Sequence, residues 1–157
     1  MLAERMMVTE LVTAQVDESV GDVLARMRSA GLRMLPVLNA DRTVAGVLST
    51  FSILSYIVPN YIGSGDLKEV AYAPDMGVLR KKHHTIIHQK ISDVMEKAPL
   101  LVHPHESLLS VSASLIAFGK HEYALVVDEN SHLLGVISAG DVLDLLCRLK
   151  EGEVNDA

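Results

Sequence analysis

Tryptophan is absent and aromatic residues make up only 4% of the chain, so any core must be packed from Val, Leu, Ile and Met. Cysteine is almost absent too. The single Cys147 excludes an intramolecular disulfide framework and fits a reducing compartment, which makes a cytoplasmic protein the expectation. Its place among Val142, Leu143, Leu146 and Leu149 reads as a buried helix position rather than a reactive thiol. There is no excess of basic charge: 14 Lys and Arg against 20 Asp and Glu leave a formal charge of −6, which argues against general binding to nucleic acid. The start of the chain lacks a long apolar run after a basic stretch, so no signal peptide is expected. Charge is also missing from Thr43 to Gly65, a span long enough to raise a membrane helix. Gly46, Pro59, Asn60 and Gly63 interrupt it, and a matching downstream segment carries Asp141 and Asp144. A strand followed by a helix is the better reading, with no membrane partner.

What is present is a repeat. Ala45-Gly46-Val47-Leu48-Ser49-Thr50-Phe51-Ser52 and Leu134-Gly135-Val136-Ile137-Ser138-Ala139-Gly140-Asp141 carry one pattern 89 residues apart. Whole patterns seldom align by chance at a fixed offset. Upstream, Ser19 precedes Val20, Val23, Leu24 and Met27, and Gly31 follows. Ser107 precedes Leu108, Val111 and Leu115, and Gly119 follows. Each set spells a capped amphipathic helix with a glycine stop. The apolar runs Leu35-Pro36-Val37-Leu38 and Ala124-Leu125-Val126-Val127 predict buried strands, each ending in a polar turn. Second strands (Val44 to Leu48, Leu133 to Ile137) and second helices follow. A short extended segment such as Leu100-Leu101-Val102 precedes each copy.

The expected class is therefore α/β (α+β), each repeat a small sheet with two helices. Neither copy can hide its sheet face and helix stripes alone, so the two should pack about a pseudo-twofold axis. The expected organisation is a first repeat over residues 1–57, a connector over 58–90, a second repeat over 91–150 and a tail over 151–157. The connector reads as irregular, with a short helix near Asp66 to Tyr72. It carries Arg80-Lys81-Lys82-His83-His84, the one concentrated positive stretch.

Two copies of about 50 residues, each with an apolar strand, a polar turn and Gly–apolar–apolar–Ser–two residues–Asp opening a helix, resemble a cystathionine β-synthase (CBS) domain pair. The motifs are Gly135 to Asp141 and, less completely, Gly46 to Ser52; Leu35-Pro36-Val37 matches the family's Pro-Val strand, from which Leu125 departs. The resemblance covers nearly the whole chain outside the connector and the last few residues. It implies a regulatory module, not an enzyme, that forms a homodimer. With no catalytic or transport domain attached, the expectation is a stand-alone module acting on a separate, unidentified protein partner.

Taken without the family, Ser138 ends a strand and opens a helix, where free N–H groups and the helix dipole favour an anion such as phosphate. Gly140 allows close approach to the backbone beside Ala139. Asp141, one turn on, can accept hydrogen bonds from a diol, as acidic residues do with ribose in dinucleotide-binding folds. In isolation Ser-x-x-Asp is also a capping box with no ligand at all. The resemblance implies that Ser138 contacts phosphate and Asp141 contacts ribose of an adenine nucleotide (AMP, ADP or ATP), a regulatory ligand rather than a required cofactor. It further implies an adenine held by apolar walls and backbone groups, which by position fall around Val102, Tyr123 and Ala124. His121, just before the second strand, is placed to approach a phosphate. Ser49 and Thr50 can still hold phosphate in the first copy, but Ser52 offers no carboxylate, so one complete and one weak site are expected.

Two alternatives stay open. A ligand-free interaction and dimerisation scaffold fits the substitution at Ser52. A metal or polyanion sensor fits the histidine-rich connector, with His84 and His88 four apart and His103-Pro104-His105 beyond it, although no clear third metal ligand lies nearby. No serine or cysteine shows a base and an orienting acid, and Gly-x-Ser-x-Gly spacing is not met at Ser138.

Overall fold

The computed structural model describes residues 1–58 and 75–149, with Asp75 described by its backbone only. The helix expected near Asp66 to Tyr72 and the tail over 151–157 lie outside the described residues. The described residues divide into two compact units that do not follow chain order. Among the described residues, one comprises 12–39, 45–58 and 75–97; the other comprises 1–11, 40–44 and 98–149.

The first of these units carries the first repeat. Strand β1 (Ala14–Gln15) leads into helix α2 (Val20–Ser29), which follows the short α1 (Ala3–Met6) of the other unit. Ser19 caps α2, its Oγ accepting from Asp22 N at 3.2 Å, and Val20, Val23 and Met27 form its buried face. Gly31 sits at φ 66°, a left-handed stop that a side chain would strain. Strands β2 (Met34–Leu38) and β3 (Val44–Ser49) complete a sheet of order β1-β2-β3. All five residues of β2 are buried, as a central strand requires. Fully burying Leu35, Leu38 or Leu48 contributes about 1.5–3 kcal/mol each relative to exposure. Pro36 has no N–H, and the parallel ladder begins one residue later, at Ala14↔Val37.

Helix α3 (Thr50–Ile57) buries Ile53 and Ile57, and it packs against α4 (Asp75–Ile86). The basic stretch from Arg80 to His84 therefore lies on a 12-residue helix. A 3-10 turn (Ile91–Asp93) closes this unit, with Ile91 fully buried.

The second repeat builds the other unit in the same order: β4 (Leu101–Val102), α5 (Leu108–Phe118), β5 (Tyr123–Val127), β6 (Leu133–Ser138) and α6 (Ala139–Arg148). Ser107 caps α5 through Ser110 N at 3.1 Å, and Gly119 ends it at φ 63°. Here Leu125 N donates to Leu100 O at 2.9 Å, and β4 pairs with β5 from Leu101↔Leu125, a bond the Pro36 position cannot make. The matched turns put Arg42 (φ 69°) and Ser131 (φ 65°) in the left-handed region. Asp41 and Asp128 hold those turns by accepting N–H bonds from Thr43, and from Asn130 and His132.

The segments leading into each repeat change places. Residues 1–8 belong to the unit of the second repeat: Ala3 N donates to Glu106 O, and Val8 exchanges backbone bonds of 2.9 and 3.0 Å with Val136. Residues 91–96 belong to the unit of the first repeat: Ile91 N donates to Glu18 O, and Glu96 exchanges bonds of 2.8 and 3.0 Å with Val47. This explains the shared glycines. A Cβ on Gly46 would lie 2.3 Å from Glu96 O, and one on Gly135 would lie 2.7 Å from the Met7 side chain.

Cys147 corrects the expectation of burial, because it is exposed. Helix α6 has no buried residue; Val142 packs on the core of its unit, while Leu143 and Leu146 are 62% and 55% exposed. The apolar stripe read from the sequence is real, but little of its own unit covers it.

Arg26 forks onto Glu18 at 2.5 and 3.0 Å and also donates to Thr13 O at 3.0 Å. That guanidinium holds the Glu18 carboxyl below its ordinary value, against the opposing effect of burial.

Candidate functional site

β6 runs antiparallel to β5 with Tyr123 opposite Ser138, so the strand that ends at Ser138 delivers the start of α6 beside the start of β5. Ala139 N donates to Glu122 O at 3.0 Å, which ties the first helical residue to the loop before β5. Ser138, Ala139, Gly140, Asp141, Tyr123 and His121 are thereby gathered at one end of the sheet. His121 Nδ1 accepts from Tyr123 N at 3.4 Å, and its ring lies 4.7 Å from that of Phe118, centroid to centroid.

Ser138 and Asp141 form a complete capping box. Ser138 Oγ accepts from Asp141 N at 3.0 Å, while Asp141 Oδ2 accepts from Ser138 N at 2.8 Å and from Ser138 Oγ at 2.7 Å. Both bonds to the carboxylate use Oδ2. Oδ1 accepts no hydrogen bond from the described residues, and the N–H of Gly140 donates none to them. The helix start thus retains one acceptor oxygen and one N–H donor beside a hydroxyl. Asp141 and Ser138 are both half-buried, and Gly140 is exposed.

Of the positions assigned to an adenine wall, Tyr123 is half-buried. Val102 and Ala124 are 1% and 0% exposed and belong to the apolar core of the unit, together with Val111, Val126 and Ile137.

The first repeat reproduces this local geometry within its own unit. Thr50 N donates to Arg33 O at 2.9 Å, as Ala139 does to Glu122. Ser49 Oγ accepts from Ser52 N at 2.9 Å and Ser52 Oγ accepts from Ser49 N at 3.1 Å, closing a capping box there too. The Ser52 hydroxyl then donates to Ser49 O at 2.8 Å. Ser52 therefore does the structural work of Asp141 but has no second oxygen to offer. The sequence showed a missing charge at that position; that a serine would still complete the cap was not read from it.

Among the described residues, no three His, Cys, Asp or Glu side chains gather in a group that could hold a metal ion. The His84 and His88 rings meet edge to face at 5.3 Å. His105 Nδ1 lies 3.8 Å from Glu4 Oε1. No helix among the described residues is long and apolar enough to cross a membrane.

Two similar α/β units, each with a Ser-capped helix springing from the last strand of a three-stranded sheet, define a tandem-repeat α/β module. The sequence profile of the CBS domain matches residues 3–59 and 91–148, and the chain belongs to the CBS-domain family, whose paired domains are in general regulatory rather than catalytic. An uncharacterized protein, MJ1426, of Methanocaldococcus jannaschii is 25% identical over 142 residues, covering 83% of this chain and 82% of that one. The fold is similar to that of a CBS domain-containing protein of unknown function from Bacillus anthracis (17% identity, TM-score 0.74, 96% of this chain and 95% of that one). It is similar also to CBSX2, solved in complex with AMP (21% identity, TM-score 0.70, 93% of this chain and 96% of that one).

Proposed function

We propose that the chain is a regulatory module whose second repeat binds an adenine nucleotide and that binding alters its engagement with a separate protein partner. The observation that carries this reading is the asymmetry of the two capping boxes. Asp141 keeps Oδ1 available for a ribose diol beside the Gly140 N–H and the Ser138 hydroxyl, whereas Ser52 exhausts its oxygen on the cap. The family and the AMP held by CBSX2 support the ligand class. Tyr123, opposite Ser138, is the member of the proposed adenine wall with a side chain that is not fully buried. Val102 and Ala124 would act by shaping the strand backbone beside it.

Phosphate would take the Gly140 N–H, with His121 near by, and would gain the Ser138 hydroxyl only if its proton turned away from Asp141 Oδ2; Ser49 and Thr50 would offer a weaker counterpart in the first repeat. The output is a shift between two states, bounded by the difference in ligand affinity for each. A homodimer is proposed on the exposed apolar residues of the helices, Leu109 and Ile116 on α5 and Leu143 and Leu146 on α6, at 80%, 84%, 62% and 55% exposure.

The second reading is a ligand-free scaffold, favoured by the fact that both boxes satisfy their own polar groups. A thermal-shift series with AMP, ADP, ATP and zinc separates the readings. Stabilisation by an adenine nucleotide supports the first. Silence with every nucleotide at millimolar concentration supports the scaffold, and a shift with zinc alone supports metal sensing.

A further inference from the structure

Within the unit of the first repeat, α3 and α4 enclose an open groove of about 710 Å³, in the size range of small-molecule sites. Its floor is apolar: Leu54 and Ile57 from α3, three residues apart on one face, and Leu79 from α4. Its rim carries the cations Arg80 and Lys81 from α4, with His83 and His84 beside them. Leu54 is 52% exposed at the groove, so the floor is not sealed by the packing of the two helices.

The charge here runs against the rest of the chain. The formal charge is −6, yet residues 76–92 contain no Asp or Glu. Neither Arg80 nor Lys81 enters an ion pair among the described residues, although surface acids outnumber bases elsewhere. Basic residues in the last turns of a helix favourably oppose its dipole, which accounts for the histidines. It does not account for cations without an ion pair among the described residues set along an apolar floor on which Leu54 stays exposed, where neighbouring like charges repel one another.

We infer that this groove is a second ligand site, separate from the Ser138–Asp141 site, for a small amphipathic anion: a phosphate or carboxylate head on an apolar body. The apolar body would cover Leu54, Ile57 and Leu79, and the head would pair with Arg80 and Lys81 in charge-assisted hydrogen bonds. A free inorganic anion would gain nothing from the floor, and a neutral amphiphile nothing from the rim. The volume and the two-sided chemistry together favour an anion carrying its own apolar group over either.

The test is titration of the full chain with decyl phosphate below its micelle concentration, followed by calorimetry and by chemical-shift changes, with inorganic phosphate and neutral decyl maltoside as comparisons. Saturable binding of decyl phosphate is expected, at least about tenfold tighter than either comparison. The double variant Arg80→Ala, Lys81→Ala alters only exposed side chains and should fold normally. It should lose at least about tenfold in decyl phosphate affinity while its response to AMP is unchanged. Equal affinity for decyl phosphate and decyl maltoside would overturn the proposal, as would undiminished binding in the double variant. Association with anionic vesicles, without saturable binding of monomeric decyl phosphate, would replace the small-ligand site with a membrane surface.

Discussion

Asp141 grips Ser138 twice through a single oxygen: Oδ2 lies 2.8 Å from Ser138 N and 2.7 Å from Ser138 Oγ, leaving Oδ1 without a partner among the described residues. At the corresponding place Ser52 makes the same bond to its cap residue and then spends its hydroxyl proton on Ser49 O. Capping and ligand binding are thus separable properties of this position, and they can be tested apart.

Ser52→Asp should equip the first repeat. The cap is retained, because an aspartate at N3 completes the box in the second repeat. Thermal stability should therefore stay within about 0.5 kcal/mol. Calorimetric stoichiometry for AMP should rise above that of the parent chain, or its weak phase should tighten by about tenfold. Unchanged stoichiometry and affinity would show that a carboxylate is not what the first repeat lacks.

Gly46→Ala and Gly135→Ala should both destabilise, and in that order. The new methyl at position 46 meets a backbone carbonyl, Glu96 O, in a two-bond pairing with Val47 that cannot move alone. At position 135 it meets Met7 at Cγ, Sδ and Cβ; the outer atoms can turn aside, while Cβ at 2.9 Å requires a smaller shift of the leading segment itself. A cost of about 1–3 kcal/mol is expected for Gly46→Ala and less for Gly135→Ala, measured by urea unfolding.

Removing residues 1–8 should loosen the second repeat and spare the first. Those residues contribute the fully buried Ala3 to the core around Val102, Val111 and Ile137 and pair with β6 at Val136. Hydrogen exchange should show lost protection over 133–138 with 34–38 little changed. Equal loss in both strands would contradict the exchange of leading segments.

The Glu18–Arg26 pair predicts a pH dependence. Arg26 lowers the folded-state value of Glu18 below its ordinary 4.5, so the pair contributes stability above about pH 4.5. That contribution is lost as pH falls through the lower folded value. The Arg26 side chain is 38% exposed, which keeps the effect at no more than about 1 kcal/mol. The stability gap between parent and Arg26→Ala should narrow as pH drops from 6 to below 4, leaving the part due to the bond with Thr13 O.

The local signals were legible because they are local. Ser19 and Ser107 cap the helices they precede, Gly31 and Gly119 end them at positive φ, and the strands lie within a residue or two of the apolar runs. The exchange of residues 1–8 and 91–96 between units was not legible, since no periodicity records which sheet edge a segment joins. Its one trace was the shared glycine at 46 and 135, which reports a close approach without naming the neighbour. Cys147 was misplaced for a related reason: a helical stripe shows which side is apolar, not whether anything covers it. At the site, the charge difference between Asp141 and Ser52 was visible, but the Ser52 cap needed the geometry of its hydroxyl.

The most direct measurement is calorimetric titration of AMP, ADP and ATP into the parent chain and into Asp141→Ser. This variant copies the first repeat's own solution to the cap, so folding should be preserved and the ligand acceptor lost. Saturable binding of at least one of these nucleotides to the parent is expected, with a loss of at least about tenfold in affinity in Asp141→Ser and little change in melting temperature. Equal affinity in the two proteins, or no binding to the parent at millimolar nucleotide, would contradict it.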